Sequence, residues 1–179
     1  GGRPVSFEVC TDDPDEVVRQ ARIIDGWGDN VFVKVPVTTT GGEDLTGVAG
    51  HLSHSGVQVN VTAVFTPRQA EQAIAALRGG APSFVSVFAG RSADAGVDPR
   101  PIVAESVRLA GSGPGPRIIW ASPRQVFDLL QADSVGCHFI TMTPDLFRKV
   151  DLLGKDLEEF SRETIEMFLH DARTSGYTI

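Results

Sequence analysis

Six short apolar runs recur along the chain, at 4–10, 31–37, 57–64, 84–89, 117–121 and 137–143. Each has the length of a β-strand, and longer amphipathic stretches separate them. Within the runs the side chains divide by parity. Val5, Phe7 and Val9 stand against Ser6, Glu8 and Cys10, and Val31, Val33, Val35 and Val37 stand against Lys34. Val57, Val59, Val61 and Ala63 oppose Gln58, Asn60 and Thr62, and Val85, Val87 and Ala89 oppose Ser86 and Phe88. Successive strand residues point to opposite sides of a sheet, so each strand sends valines one way and polar groups the other. The run at 31–37 is nearly continuous in apolar residues, as in a parallel strand buried on both faces.

Helix-start chemistry falls between the runs. Asp13-Pro14-Asp15-Glu16 combines a capping acid, an early proline and first-turn acids; Thr66-Pro67, Asp98-Pro99 and Ser122-Pro123 are expected to open further helices. A last helix is expected over 156–175, with Leu157, Phe160, Ile165, Phe168 and Leu169 on its apolar face. Strand–helix alternation predicts parallel β/α units in one domain. The Gly-Pro-rich segment 111–116 reads as an ordinary loop. Two architectures compete, an open doubly wound sheet and a closed (β/α)8 TIM-type barrel. No Gly-x-Gly-x-x-Gly fingerprint follows a strand. Valines facing covering helices and polar groups facing a barrel interior account for both halves of the parity, so the barrel is preferred.

Composition narrows the partners. The 179 residues are 41% hydrophobic and 22% charged, with a net charge of -7. No basic patch stands out, which disfavours nucleic acid and anionic membranes. No apolar stretch approaches the ~20 residues of a membrane span. Cys10 and Cys137 lie far apart without metal spacing, and the start is not signal-like, so a reducing cytoplasm is expected. Neither a metal nor a cofactor is expected.

Lys34 carries the chemistry. A buried ammonium costs several kcal/mol unless it is paired, neutral or at work, and burial favours the neutral amine, which is a nucleophile. If the polar parity faces inward, Glu8, Lys34, Asn60, Thr62 and Ser86 converge. A lysine beside an acid, a hydroxyl and an amide suits Schiff-base chemistry, in which an iminium allows a C–C bond to break or form. The plain alternatives are a strand-end lysine reaching solvent, a structural Glu8–Lys34 ion pair, and a threonine present for strand propensity. Arg91 after the fourth run suits a phosphate or is a surface charge; Arg124 is a weaker candidate of the same kind. His51 and His54 lack the further ligands of a metal site and read as surface residues. His138, Met142, Trp27 and Trp120 read as core.

These residues resemble the transaldolase and fructose-6-phosphate aldolase family of class I (β/α)8 enzymes. The matches are Val33-Lys34-Val35-Pro36-Val37-Thr38, Val59-Asn60-Val61-Thr62-Ala63-Val64-Phe65, Ser86-Val87-Phe88-Ala89-Gly90-Arg91 and Trp120-Ala121-Ser122. The ending, Asp171 to Ile179, resembles the family's C-terminal tail. The resemblance implies that Lys34 forms a Schiff base with a ketose, and that Glu8 is the acid/base working with a water near Thr62. It implies that Asn60 and Ser86 contact the dihydroxyacetone portion, that Arg91 holds a sugar phosphate, and that Phe88 and Ser122 contact substrate. Glu8 and Phe88 resemble the transaldolase branch, which transfers a dihydroxyacetone unit in the pentose phosphate pathway. The resemblance starts at the family's third strand, so the chain is expected to supply the third to eighth strands. The first two β/α units, one bearing the family's general-base aspartate, are expected to be missing. A homo-oligomer is possible through the long last helix. A Schiff-base aldolase for another carbonyl and an inert binding barrel remain alternatives.

Overall fold

A computed structural model describes residues 2–176; the last three residues of the Asp171–Ile179 tail lie outside the described residues. Six strands pair in chain order into one parallel sheet: β1 (Val5–Glu8), β2 (Val31–Pro36), β3 (Val59–Val64), β4 (Ser83–Val87), β5 (Arg117–Trp120) and β6 (Phe139–Ile140). The helices are α1 (Pro14–Asp25), α2 (Thr46–His54), α3 (Pro67–Leu77), α4 (Ala89–Asp94), α5 (Arg100–Ala110), α6 (Phe127–Ser134), α7 (Pro144–Arg148) and α8 (Leu157–Thr174), with a 3-10 turn at Lys149–Leu152. The strands form a half-barrel, an α/β arrangement with β1 and β6 at its edges. All six expected strands form, although β6 keeps only two paired residues of the 137–143 run.

Local chemistry starts the helices where the sequence signals them. Asp13 accepts hydrogen bonds from the amides of Asp15 and Glu16. Thr66 and Gln69 close a reciprocal capping box. Asp156 caps α8 through the Glu159 amide. Ser122-Pro123 departs from expectation, because α6 begins only at Phe127. Ser122 takes a left-handed backbone, φ 59°, which an extended N-cap residue does not have. The short α4 directly after β4 is also unforeseen.

The valine face packs as parity requires in β2 to β4, whereas Val5 and Phe7 of the edge strand β1 stay 40% and 41% exposed. Val33, Val35, Val59, Val61, Val64, Val85 and Val87 are fully buried, together with Val17 and Ala21 of α1 and Ala73 of α3. Each such valine contributes about 1.5–3 kcal/mol relative to exposure. One position breaks the alternation. Ala63 adopts φ 58°, and the β3–β4 register shifts between Val61 and Val64. This bulge turns Val64 rather than Ala63 into the core. Trp27 is another correction: it is 58% exposed, because α1 ends before it and it meets Phe7 of the edge strand edge-on, at 5.1 Å. Trp120 is buried, whereas Met142 is only half-buried. The apolar residues of α8 form the expected stripe, yet none is buried among the described residues.

Candidate active site

With the valine face closed by helices, the concave face is left for chemistry. Its lower part is aromatic: Phe84 lies 4.4 Å from Phe32 and 5.4 Å from Phe139, ring centre to ring centre. Its upper part is polar. Parallel register puts Glu8 beside Lys34, and Lys34 beside Asn60. A groove of about 880 Å³ runs along this face, lined by Ser6, Lys34, Asn60, Thr62, Ser86, Phe88, Ser122 and Thr141 among others.

Asn60 organises the groove. It is 2% exposed, its Nδ2 donates to Ser6 Oγ at 3.2 Å, and its Oδ1 accepts from Ser86 Oγ at 2.8 Å. The amide thus reaches across β2 to β1 and sideways to β4, which assigns its orientation. Thr62 is buried, and its hydroxyl has no hydrogen-bond partner among the described residues. An unpartnered buried hydroxyl costs about 1–3 kcal/mol. Lys34 is half-buried: its face of β2 is closed at Phe32 but open at Lys34 and Pro36, so burial on both faces, as expected, holds for only part of the strand. Its ammonium has no hydrogen bond or ion pair to any described residue, and the groove is open to it.

Glu8 is exposed, and no ion pair joins it to Lys34 among the described residues. It borders a small crevice with Gln20, Ile23, Ile24 and Trp27, outside the groove that Lys34 lines. Phe88 lines the groove at the start of α4. The exposed Arg91 guanidinium stands 5.4 Å from the centre of the Phe88 ring, a cation–π distance at the groove's margin. Arg124 is exposed and turned to Asp94, with Nε 2.7 Å from the carboxylate. The structure therefore brings together Lys34, Asn60, Thr62, Ser86, Phe88 and Ser122, with Arg91 adjoining and Glu8 one strand away. Ser6 and Thr141 are additions. Ser6 shares the parity of Glu8, and that was its only sequence signal.

The remaining candidates stay outside this chemistry. His51 and His54 are exposed on α2. His138 Nδ1 accepts the Ile118 amide hydrogen at 3.0 Å, and burial and the Arg117 charge lower its pKa. Burial raises the pKa of the Cys137 thiol, away from nucleophilic use. Among the described residues no His/Cys/Asp/Glu cluster suits a metal, and no helix is long and apolar enough to cross a membrane.

Comparison with known proteins decides the family. The profile described as Transaldolase/Fructose-6-phosphate aldolase matches residues 2–178. The chain belongs to the transaldolase/fructose-6-phosphate aldolase family. A probable transaldolase of Streptococcus equi subsp. zooepidemicus is 35% identical over 148 residues, which are 82% of this chain and 65% of that protein. Probable transaldolase 2 of Listeria monocytogenes is 34% identical over 89% of this chain and 72% of its own length. A probable transaldolase of Thermoanaerobacter is 32% identical over 98% of this chain and 76% of its own. The chain thus spans about two thirds to three quarters of these transaldolase-family relatives.

Proposed function

We propose that this chain carries the Schiff-base machinery of a transaldolase, transferring a dihydroxyacetone unit between sugar phosphates. The observation that supports it most is an unpaired lysine ammonium on the polar face of the half-barrel, in the same groove as Asn60, Thr62 and Ser86. An amine so placed can attack a ketose C2 carbonyl, and loss of water then gives an iminium. A base takes the C4 hydroxyl proton, that oxygen becomes the carbonyl of the departing aldehyde, and the electrons of the C3–C4 bond flow into the iminium to leave an enamine on Lys34. The enamine attacks an acceptor aldehyde, and hydrolysis frees the lengthened ketose and the amine.

Asn60 and Ser86, already bonded to each other, offer the hydroxyls of the dihydroxyacetone portion a donor and acceptors in fixed positions. Thr62 lines the groove with a hydroxyl that has no hydrogen-bond partner among the described residues, which supports its holding a water that moves protons at C2. Glu8 neighbours Lys34 in the β1–β2 ladder but borders the crevice against α1, so on this reading its side chain turns over the open strand edge to serve as the acid/base through that water. Phe88 and Ser122 contact the substrate, and Arg91 takes its phosphate at the groove's margin. On this reading the six strands are the third to eighth of one (β/α)8 barrel domain. The substrate is a small sugar phosphate and not nucleic acid or a membrane; the setting is a cytoplasm in which Cys10 and Cys137 stay free. The uncovered apolar stripe of α8 supports self-association.

The chain has three lysines, Lys34, Lys149 and Lys155, which makes the test internal. Borohydride reduction with dihydroxyacetone or fructose 6-phosphate, followed by peptide mass spectrometry, is expected to modify Lys34 and to spare the other two. Lys34→Ala should give no adduct. Equal labelling of all three lysines, or none of any, would overturn the proposal.

A further inference from the structure

We propose that Asp128 is the positioning residue that holds the Ser122–Gln125 turn against the groove. Through that turn it sets how tightly the site binds a phosphorylated substrate, an inference that rests on the function proposed above. Asp128 is 2% exposed, so its carboxyl oxygens are buried polar atoms that must be compensated by hydrogen bonds. Its Oδ2 accepts from the Arg124 amide at 2.6 Å and the Gln125 amide at 3.0 Å. The nearby Arg124 guanidinium is engaged with Asp94 instead. Val126, the residue before α6, supplies no side-chain cap, so Asp128 reaches back from the helix's first turn to take donors that precede it.

The other end of the turn is under constraint. Ser122 lines the groove with φ 59°, a conformation that a non-glycine residue keeps only when its surroundings over-determine it. Its carbonyl oxygen would lie 1.7 Å from a Cβ built on Gly90, so the two backbones are in tight apposition. Arg91 follows Gly90 directly. One buried carboxylate therefore pins a turn that carries Ser122 and abuts the backbone bearing Arg91. Releasing it frees both at the end of the groove proposed to take the phosphate, while Lys34 and Asn60, held by the β2–β3 ladder, stay in place.

The test uses the full chain with three substitutions. Asp128→Ala removes the acceptor, Asp128→Asn keeps an oxygen in place, and Asp128→Glu keeps the charge but displaces it by a methylene. The Glu variant serves if the Ala variant does not fold. Hydrogen exchange should show Arg124 and Gln125 amide protection lost with Ala or Glu and retained with Asn. The fructose 6-phosphate concentration giving half-maximal Lys34 adduct should rise about tenfold with Ala or Glu, the factor for a change of about 1.4 kcal/mol. The corresponding value for dihydroxyacetone, which has no phosphate, should stay within about twofold, a smaller change than that factor. Unchanged amide protection, or equal weakening for both ketoses, overturns the proposal. If the unsubstituted chain forms no adduct at all, the Schiff-base reading fails, and amide protection still decides whether Asp128 holds the turn.

Discussion

Replacing Gly90 with alanine probes the contact between α4 and the end of β5. Gly90 has no left-handed backbone requirement, so alanine is conformationally allowed and the steric cost stands alone. The new Cβ would lie 1.7 Å from the Ser122 carbonyl oxygen, 2.6 Å from its carbon and 3.1 Å from Pro123 Cα. These are backbone atoms, which no rotamer change can move aside. The gap must widen to at least 3.0 Å, and the 3.3 Å hydrogen bond from the Gly90 amide to the Ala121 carbonyl stretches with it. Overpacking of this kind costs about 1–3 kcal/mol, and the lost hydrogen bond about 1 kcal/mol more. Better helix propensity offsets about 1 kcal/mol. The net destabilisation of about 2 kcal/mol corresponds to a fall in Tm of about 4–8 °C for a chain of this size. Gly47 is the control, since it is exposed in α2 with nothing within 4 Å of a built Cβ. Gly47→Ala should stabilise by about 0.5–1 kcal/mol, the propensity gain alone. Urea titrations and thermal melts on both variants give the comparison. A Gly90→Ala protein as stable as Gly47→Ala would refute the close-approach argument.

Thr62→Val removes a buried hydroxyl that has no partner among the described residues, so stability should rise by about 1 kcal/mol while the rate of Lys34 adduct formation falls; chemical denaturation and a trapping time course read the two opposite changes. Arg91→Ala should raise KM for phosphorylated substrates and leave free sugars unaffected, and an equal effect on both would count against a phosphate role. His138 is held in its neutral form, with a folded pKa below the ordinary 6.5 through burial and the Arg117 charge. Its contribution is complete above about pH 6.5 and is lost as pH falls through the lower folded value. The Ile118 amide loses its acceptor when Nδ1 is protonated. Urea midpoints from pH 7.5 to 5 should therefore decline more steeply for the native chain than for His138→Gln, and parallel curves would refute this.

Much of the fold was legible because its signals are local. Alternating valines identify the strands and their buried face, since the period of two belongs to any extended chain. Asp13, Thr66 and Asp156 announce helices because a capping side chain bonds to amides two or three residues away. The same parity is enough to put Lys34, Asn60, Thr62 and Ser86 on one face. Other features arise between residues distant in sequence. Parity alone put Ala63 in the core, and the β3–β4 register shift put Val64 there instead. Trp27 looked like core by composition, but its exposure depends on β1 being an edge strand. Ser122-Pro123 reads as a helix start, yet the Asp128 carboxylate and the Gly90 backbone hold it as a turn. Parity put Glu8 with Lys34 on the inward face, whereas in the structure Glu8, on the edge strand, borders the crevice against α1. The sequence by itself determined the strands, the caps and the polar row, because hydrophobic period and capping act over a few residues. Only the tertiary structure decided register, edge exposure and the route of the groove's rim, because these depend on which distant backbones approach one another.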